Sequence, residues 1–232
     1  MNNYNKKVTN ITTNEKKQMY AILSKYFLGT SYDEFSSDLS KKEIAIFIEE
    51  EGQILGFSTL VCSEVEVEGK SVPVIFSGDT IVEREHRNSS GLGIEVANYF
   101  DRVRERFKGK TVYYLLTTKG WRTYKVLPFF FNEFYPRAEV QMPLEVKKVM
   151  DAFCQKKYKE RYDAKRGLVV AVGEPQRLRS ENLYDSAYPD RQSDDIDFFF
   201  EQNPNYLDGT ELVCVASIDE ANITKRFKRL SR

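Results

Sequence analysis

Met19, Ile22, Leu23, Tyr26 and Phe27 recur at the three-to-four-residue spacing that gathers apolar side chains on one side of a helix. Asn14 can cap that helix and Gly29 can stop it. Ser31, followed three residues later by Glu34, reads as a capping box opening a second short helix through about Leu39. The period then drops to two at Ile44, Ile46 and Ile48, the spacing of a half-buried strand. A turn at "EEEGQ" leads into the apolar run from Ile54 to Cys62. Val65 and Val67 continue the alternation, Gly69 turns the chain, and Val72 to Val82 forms another strand. Three strands joined by short turns predict an antiparallel meander, with Pro73 marking a strand start or an edge position because it has no N–H to donate.

Leu92, Val96, Tyr99, Phe100, Val103 and Phe107 share one face of a long amphipathic helix ending near Gly109. "TVYYLL" reads as a short buried strand, and Pro128 bends or interrupts the helical stretch that follows it. Strand, helix, strand and helix in that order predict a parallel strand pair with a right-handed crossover. Further on, Pro143 to Tyr162 reads as a charged helix, "GLVVAV" and "ELVCVASI" as buried strands, and Arg177 to Asp195 as a long polar loop. No repeat or low-complexity linker marks a boundary. The expectation is one α/β domain over 1–232, with a mixed sheet in which an antiparallel meander precedes a parallel pair and helices cover both faces.

With 41% hydrophobic residues the chain can build a sizeable core. Lys plus Arg and Asp plus Glu number 35 each, so no global field draws it to nucleic acid or an anionic membrane. Cys62, Cys154 and Cys214 are few, odd in number and flanked mostly by apolar residues, which fits reduced thiols rather than a disulfide framework. No apolar run approaches the ~18 residues of a membrane span, and "MNNYNKKVTN" lacks a signal-peptide core, so the expected location is the cytoplasm. No metal-binding motif is present. His86 is the only histidine and reads as a loop residue.

"SGDTIVEREHRNSSGLG", residues 77–93, carries two glycines where a helix begins. Unpaired N–H groups and the positive dipole end at such a place, with no Cβ in the way, suit an anion such as a diphosphate. A P-loop would continue Gly-Lys-Ser or Gly-Lys-Thr, but Ile94 and Glu95 follow Gly93. A dinucleotide fold would need a third glycine where Glu95 stands. Neither motif fits.

The element order and this loop resemble the GNAT superfamily of acyl-coenzyme A N-acyltransferases. The well-matched part is 14–135, and 137–232 reads as a C-terminal extension. That family's diphosphate motif has Val, four residues, Arg or Gln, two residues, Gly, any residue, and Gly or Ala. Val82, Arg87, Gly91, Leu92 and Gly93 follow it with one departure: Asn88, Ser89 and Ser90 separate Arg87 from Gly91, one residue more than usual. Either the loop is longer or Asn88 takes the place of Arg87. The resemblance implies that Val82 and 87–93 bind acetyl-CoA or another acyl-CoA. Thr117, Gly120 and Tyr124 match the spacing of a second family pattern, with Thr where the family has Asn. They imply a coenzyme contact at Thr117 and a proton donor to the leaving thiolate at Tyr124.

Transfer to an amine also requires a base, because an amine of pKa ~10.4 is protonated at neutral pH. Asp79 is the first candidate, beside the place where splayed strands would admit a thioester. Glu83 and Glu85 are closer to the diphosphate and would repel it. A bulge, common in this strand of the family, would reverse the facing of residues beyond it. The acceptor would be a small-molecule or peptide amine. Two other readings share the fold: a catalytically silent binding or regulatory module, and a signal synthase related to homoserine lactone synthases. The aromatic run Phe129, Phe130, Phe131, Phe134 and Tyr135 reads as core, and "KRFKRLSR" as a solvated tail or a dipole-complementing helix end.

Overall fold

The computed structural model describes residues 1–87, 90–179 and 194–230. An eight-stranded mixed sheet forms its centre, in the order β1 (Asn2–Lys7), β3 (Ile44–Glu50), β4 (Gln53–Val67), β5 (Lys70–Val82), β6 (Tyr113–Thr118), β10 (Glu211–Ser217), β8 (Leu168–Val169) and β7 (Tyr162–Asp163). Neighbours are antiparallel except β5 and β6, which run parallel. The expected meander is β3–β4–β5 and the expected parallel pair is β5–β6. A two-stranded sheet joins β2 (Phe27–Leu28) to β9 (Arg177–Leu178).

Alternation along the strands sorts side chains between two faces. Ile44, Ile46, Leu60, Ile75, Tyr114, Leu116, Cys214 and Ala216 face one way. They pack under α3 (Gly91–Arg106), the two halves α4 (Trp121–Tyr124) and α5 (Val126–Phe130), α7 (Asp194–Gln202) and α8 (Lys225–Lys228). The expected aromatic core is here: Phe100 meets Tyr114, Phe131 and Phe227, and Phe130 stacks on Phe227 at 4.1 Å. The opposite face has two apolar patches. Phe47, Phe57 and Ile81 lie under α1 (Thr13–Tyr26) and α2 (Tyr32–Leu39). Val65, Val74, Phe76, Leu115, Val213 and Val215 lie under α6 (Leu144–Tyr158).

Thr12, two residues ahead of the expected cap Asn14, closes a full capping box with Glu15 at the start of α1. Ser31 and Glu34 form the expected box on α2. Several elements are not legible in the sequence, among them β1, whose "NNYNKK" has no apolar alternation, the two-residue strands β2, β7 and β9, and α7. The expected strand "GLVVAV" contracts to Leu168–Val169, and α6 stops at Tyr158, where Lys159 takes a positive φ of 51°. Residues 180–193 of the expected loop lie outside the described residues. No helix among the described residues is long and apolar enough to cross a membrane.

Candidate active site

The parallel pairing of β5 and β6 lasts only from Val74–Tyr113 to Ser77–Leu116. β5 then runs on to Val82 beside β4 alone, while β6 stays with β10, so the sheet opens between them. At this opening β5 bulges: Ser58 pairs with Thr80 and Leu60 with Ser77, leaving Gly78 and Asp79 opposite Thr59. The extra residue turns Ile81 onto the α1–α2 face, opposite to Ile75.

Gly78 is required by its neighbours, because a Cβ there would collide with the Thr59 hydroxyl and Lys42 Cε. Thr59 is 2% exposed and its hydroxyl has no hydrogen-bond partner among the described residues. An unpaired buried hydroxyl beside an opened strand pair is the kind of group a ligand satisfies.

Charged side chains converge where the two apolar patches of this face meet. Lys42, whose side chain is 2% exposed, forms an ion pair with Asp38 at the end of α2. Its ammonium lies 5.7 Å from the centre of the Phe76 ring, and Lys157 of α6 lies 4.5 Å from the same ring. Lys119, just past β6, pairs with Glu211 of β10 and donates to Gln176 at 3.1 Å. The Thr117 and Tyr158 hydroxyls are 3.3 Å apart.

Burial, followed by the like charge of Asp38, raises the pKa of Asp79 against the opposing pull of Lys42 and Lys119. The other carboxylates go the opposite way. Burial works against ionised Glu211 too, but Lys119 outweighs it and its pKa is lowered. Glu83 is likewise lowered despite burial, held by Lys25 at 2.6 Å and the Tyr26 hydroxyl at 2.7 Å. Glu85 is exposed in the turn after β5. Asp79 alone combines a raised pKa with a position at the bulge, which suits a group that must accept a proton near neutral pH.

β5 leads through a short turn, Arg84–His86, to α3. The Arg87 guanidinium donates through Nε to the Val82 carbonyl at 3.2 Å and lies 5.4 Å from the Tyr26 ring centre. Asn88 and Ser89 lie outside the described residues. Ser90 makes no side-chain cap and the first turn of α3 has no acidic residue, unlike α1, α2, α6 and α7. The glycines also have packing roles that were not read from the sequence. A Cβ on Gly91 would overlap the Asn3 side chain of β1, and one on Gly93 would come within 3.0 Å of Leu230. Leu92 packs against the core.

Thr117 sits at the opening, one residue past the last β5–β6 pair. Tyr124 does not: it is fully buried, its rings of contact are Phe134, Phe198 and Phe199, and its hydroxyl donates to the Pro136 carbonyl at 2.8 Å. Burial, then Cys214, raises its pKa far above the ordinary tyrosine value. Lys42, Lys119, Lys157, Tyr158 and Glu211 were missed in the sequence. They are ordinary polar residues in segments far apart in the chain, and only the sheet order unites them.

Beside Lys119 and Glu211 lies a cleft of about 270 Å³ whose walls include Gly29, Thr30, Arg161, Pro175 and Gln176. It is built from the α1–α2 connection and from the C-terminal part of the chain.

No curated protein matches the chain in sequence. Among solved structures, a conserved protein of Enterococcus faecalis V583 described as a "Probable N-Acyltransferase" is 14% identical, with a TM-score of 0.43 over 54% of this chain and 32% of that one. The GNAT family N-acetyltransferase YhbS of Escherichia coli, in complex with CoA, is 17% identical, with a TM-score of 0.36 over 50% of this chain and 63% of that one. The chain thus spans about a third of the first protein's length and under two thirds of the second's. The family model for the acetyltransferase (GNAT) domain matches residues 7–125, just over half of the chain, and the chain belongs to the GNAT acetyltransferase family.

Proposed function

We propose that this protein is an acyl-CoA-dependent N-acyltransferase that uses Asp79 as its general base. The observation that carries this reading is the opening of β5 from β6 beyond Ser77 and Leu116, with the Gly78–Asp79 bulge inside it and, at its end, the start of α3, whose first turn holds no acidic residue. A thioester lying in the opening would bring its carbonyl beside the bulge, near the unpaired Thr59 hydroxyl. Its diphosphate would meet the first amides of α3 and the Arg87 side chain, where no carboxylate of the helix's own first turn repels it. Val82, Asn88, Ser89, Ser90, Gly91, Leu92, Gly93 and Thr117 make up the rest of the proposed coenzyme contacts.

In the reaction, Asp79 takes a proton from the incoming ammonium, directly or through water. The neutral amine attacks the thioester carbonyl, the C–S bond breaks, and coenzyme A leaves as a thiolate that recovers a proton. Tyr158, whose hydroxyl faces Thr117 at the opening, is better placed than Tyr124 to supply that proton. The cleft beside Lys119 and Glu211 holds the acceptor, a small-molecule or peptide amine. The cytoplasm is the proposed location.

The alternative of a silent binding module draws on the one observation that the Tyr124 hydroxyl is spent inside the core. Thermal melts with acetyl-CoA and longer acyl-CoAs test the coenzyme site, since a ligand at 100 times its Kd stabilises by about 2.7 kcal/mol. Thiol release across a panel of amines then tests turnover. Stabilisation without release would favour the module, and no stabilisation by any coenzyme would remove the transferase reading.

A further inference from the structure

Three lysines surround the opening between β5 and β6, and their partners differ. Lys42 is paired with Asp38 and Lys119 with Glu211. Lys157 has no carboxylate partner among the described residues, and its contacts are with the Phe76 ring at 4.5 Å and the Tyr158 ring at 5.3 Å. Phe76 stands two residues before Gly78, so the ring that the Lys157 amine contacts neighbours the bulge along β5. The residue as a whole is exposed, while protein crowds its ammonium end. α6, which carries it, lies outside the stretch matched by the family model, so this lysine belongs to the chain's own C-terminal part.

We propose that Lys157 is itself an acyl acceptor, taking one acyl group from a thioester bound in the opening; this rests on the proposed acyl-CoA site. Unprotonated Nζ attacks the thioester carbonyl carbon. The N–C bond forms, the C–S bond breaks, and the proton lost by nitrogen passes to the departing sulfur. The products are an Nε-acyl-lysine and free coenzyme A, with no other reactant consumed. Crowding of the ammonium by protein, then the like charge of Lys42, lowers the pKa of Lys157 from the ordinary lysine value. That increases the neutral fraction able to attack. Acylation removes a positive charge from the side of Lys42 and puts an amide over Phe76, which would hinder the next thioester.

Intact-protein mass spectrometry of the full chain incubated with acetyl-CoA tests this, with peptide mapping and melts on the same samples. The expected result is one acetyl group per chain on Lys157, at a rate independent of protein concentration. Lys157→Arg should abolish the label, and Lys17→Arg, on the exposed surface of α1, should retain it. Label spread evenly over surface lysines, Lys17 included, would overturn the proposal. So would stabilisation by acetyl-CoA and turnover of an external amine with Lys157 unmodified, and that outcome would leave the transferase reading standing. Neither stabilisation nor label would remove both.

Discussion

Asp79 is held where its charge is unwelcome, at a bulge beside Asp38, and that arrangement links activity to stability with opposite signs. Between the carboxyl pKa of the unfolded chain, about 3.9, and the raised value in the folded protein, the folded state binds more protons. The contribution of Asp79 to stability is therefore full at low pH and is lost as pH rises through the folded value. Asp79→Asn is expected to melt higher than the parent protein at about pH 8 and at the same temperature near pH 3, as read by differential scanning calorimetry. The same substitution should lower kcat by about 100-fold to 10,000-fold, the usual worth of a general base. Loss of rate with no gain in melting temperature at the higher pH would show that Asp79 is an ionised structural carboxylate. Turnover by the parent should rise with pH through the Asp79 pKa, because only the carboxylate accepts a proton.

The helices and the meander were legible because each carries its own local signal. α2 opens on Ser31 and Glu34 as written in its sequence, and β3 to β5 declare themselves by alternation and turns. β1 was illegible because its pairing with β3 comes from hydrogen bonds and polar ties, such as Tyr4 to Glu49 at 2.6 Å, and not from an apolar face. At the candidate site, Asp79 could be placed on its strand and Thr117 just past the next one. The lysines could not, since nothing local to Lys119 announces Glu211, 92 residues away. That cross-strand pair ties the ends of β6 and β10 together with side chains only 11% and 17% exposed. Glu211→Gln should cost about 3 to 5 kcal/mol, because it leaves the Lys119 charge buried and unpaired, and Lys119→Met with Glu211→Leu should recover most of the loss in urea titrations. The connection from β2 to α2 is equally constrained. Gly29 has a φ of 73°, and a Cβ there would run into the Pro175 carbonyl. Gly29→Ala should lower the melting temperature by roughly 2–4 °C for each of an expected 1–3 kcal/mol.

Residues beyond the family match are built into the sheet at the level of the whole molecule. β10 lies between β6 and β8, and its Val213 and Val215 complete the patch beneath α6. A chain cut after residue 136 would expose β6 along one side together with that patch. It should fail to give a cooperative melt, and recovery of a sharp transition would show that the first 136 residues suffice. At the other margin of the sheet, β1 is paired on one side only, with no strand beyond it among the described residues. Asparagine and lysine, which favour strands poorly, occupy five of its six positions. Exposed Lys7 gives any approaching copy a like charge to overcome, and Lys6 is a charged residue tied to Glu15, so the border that would otherwise seed polymerisation is kept unattractive. Replacing both lysines with valine should turn a dispersed solution into one that scatters light as chains add strand upon strand.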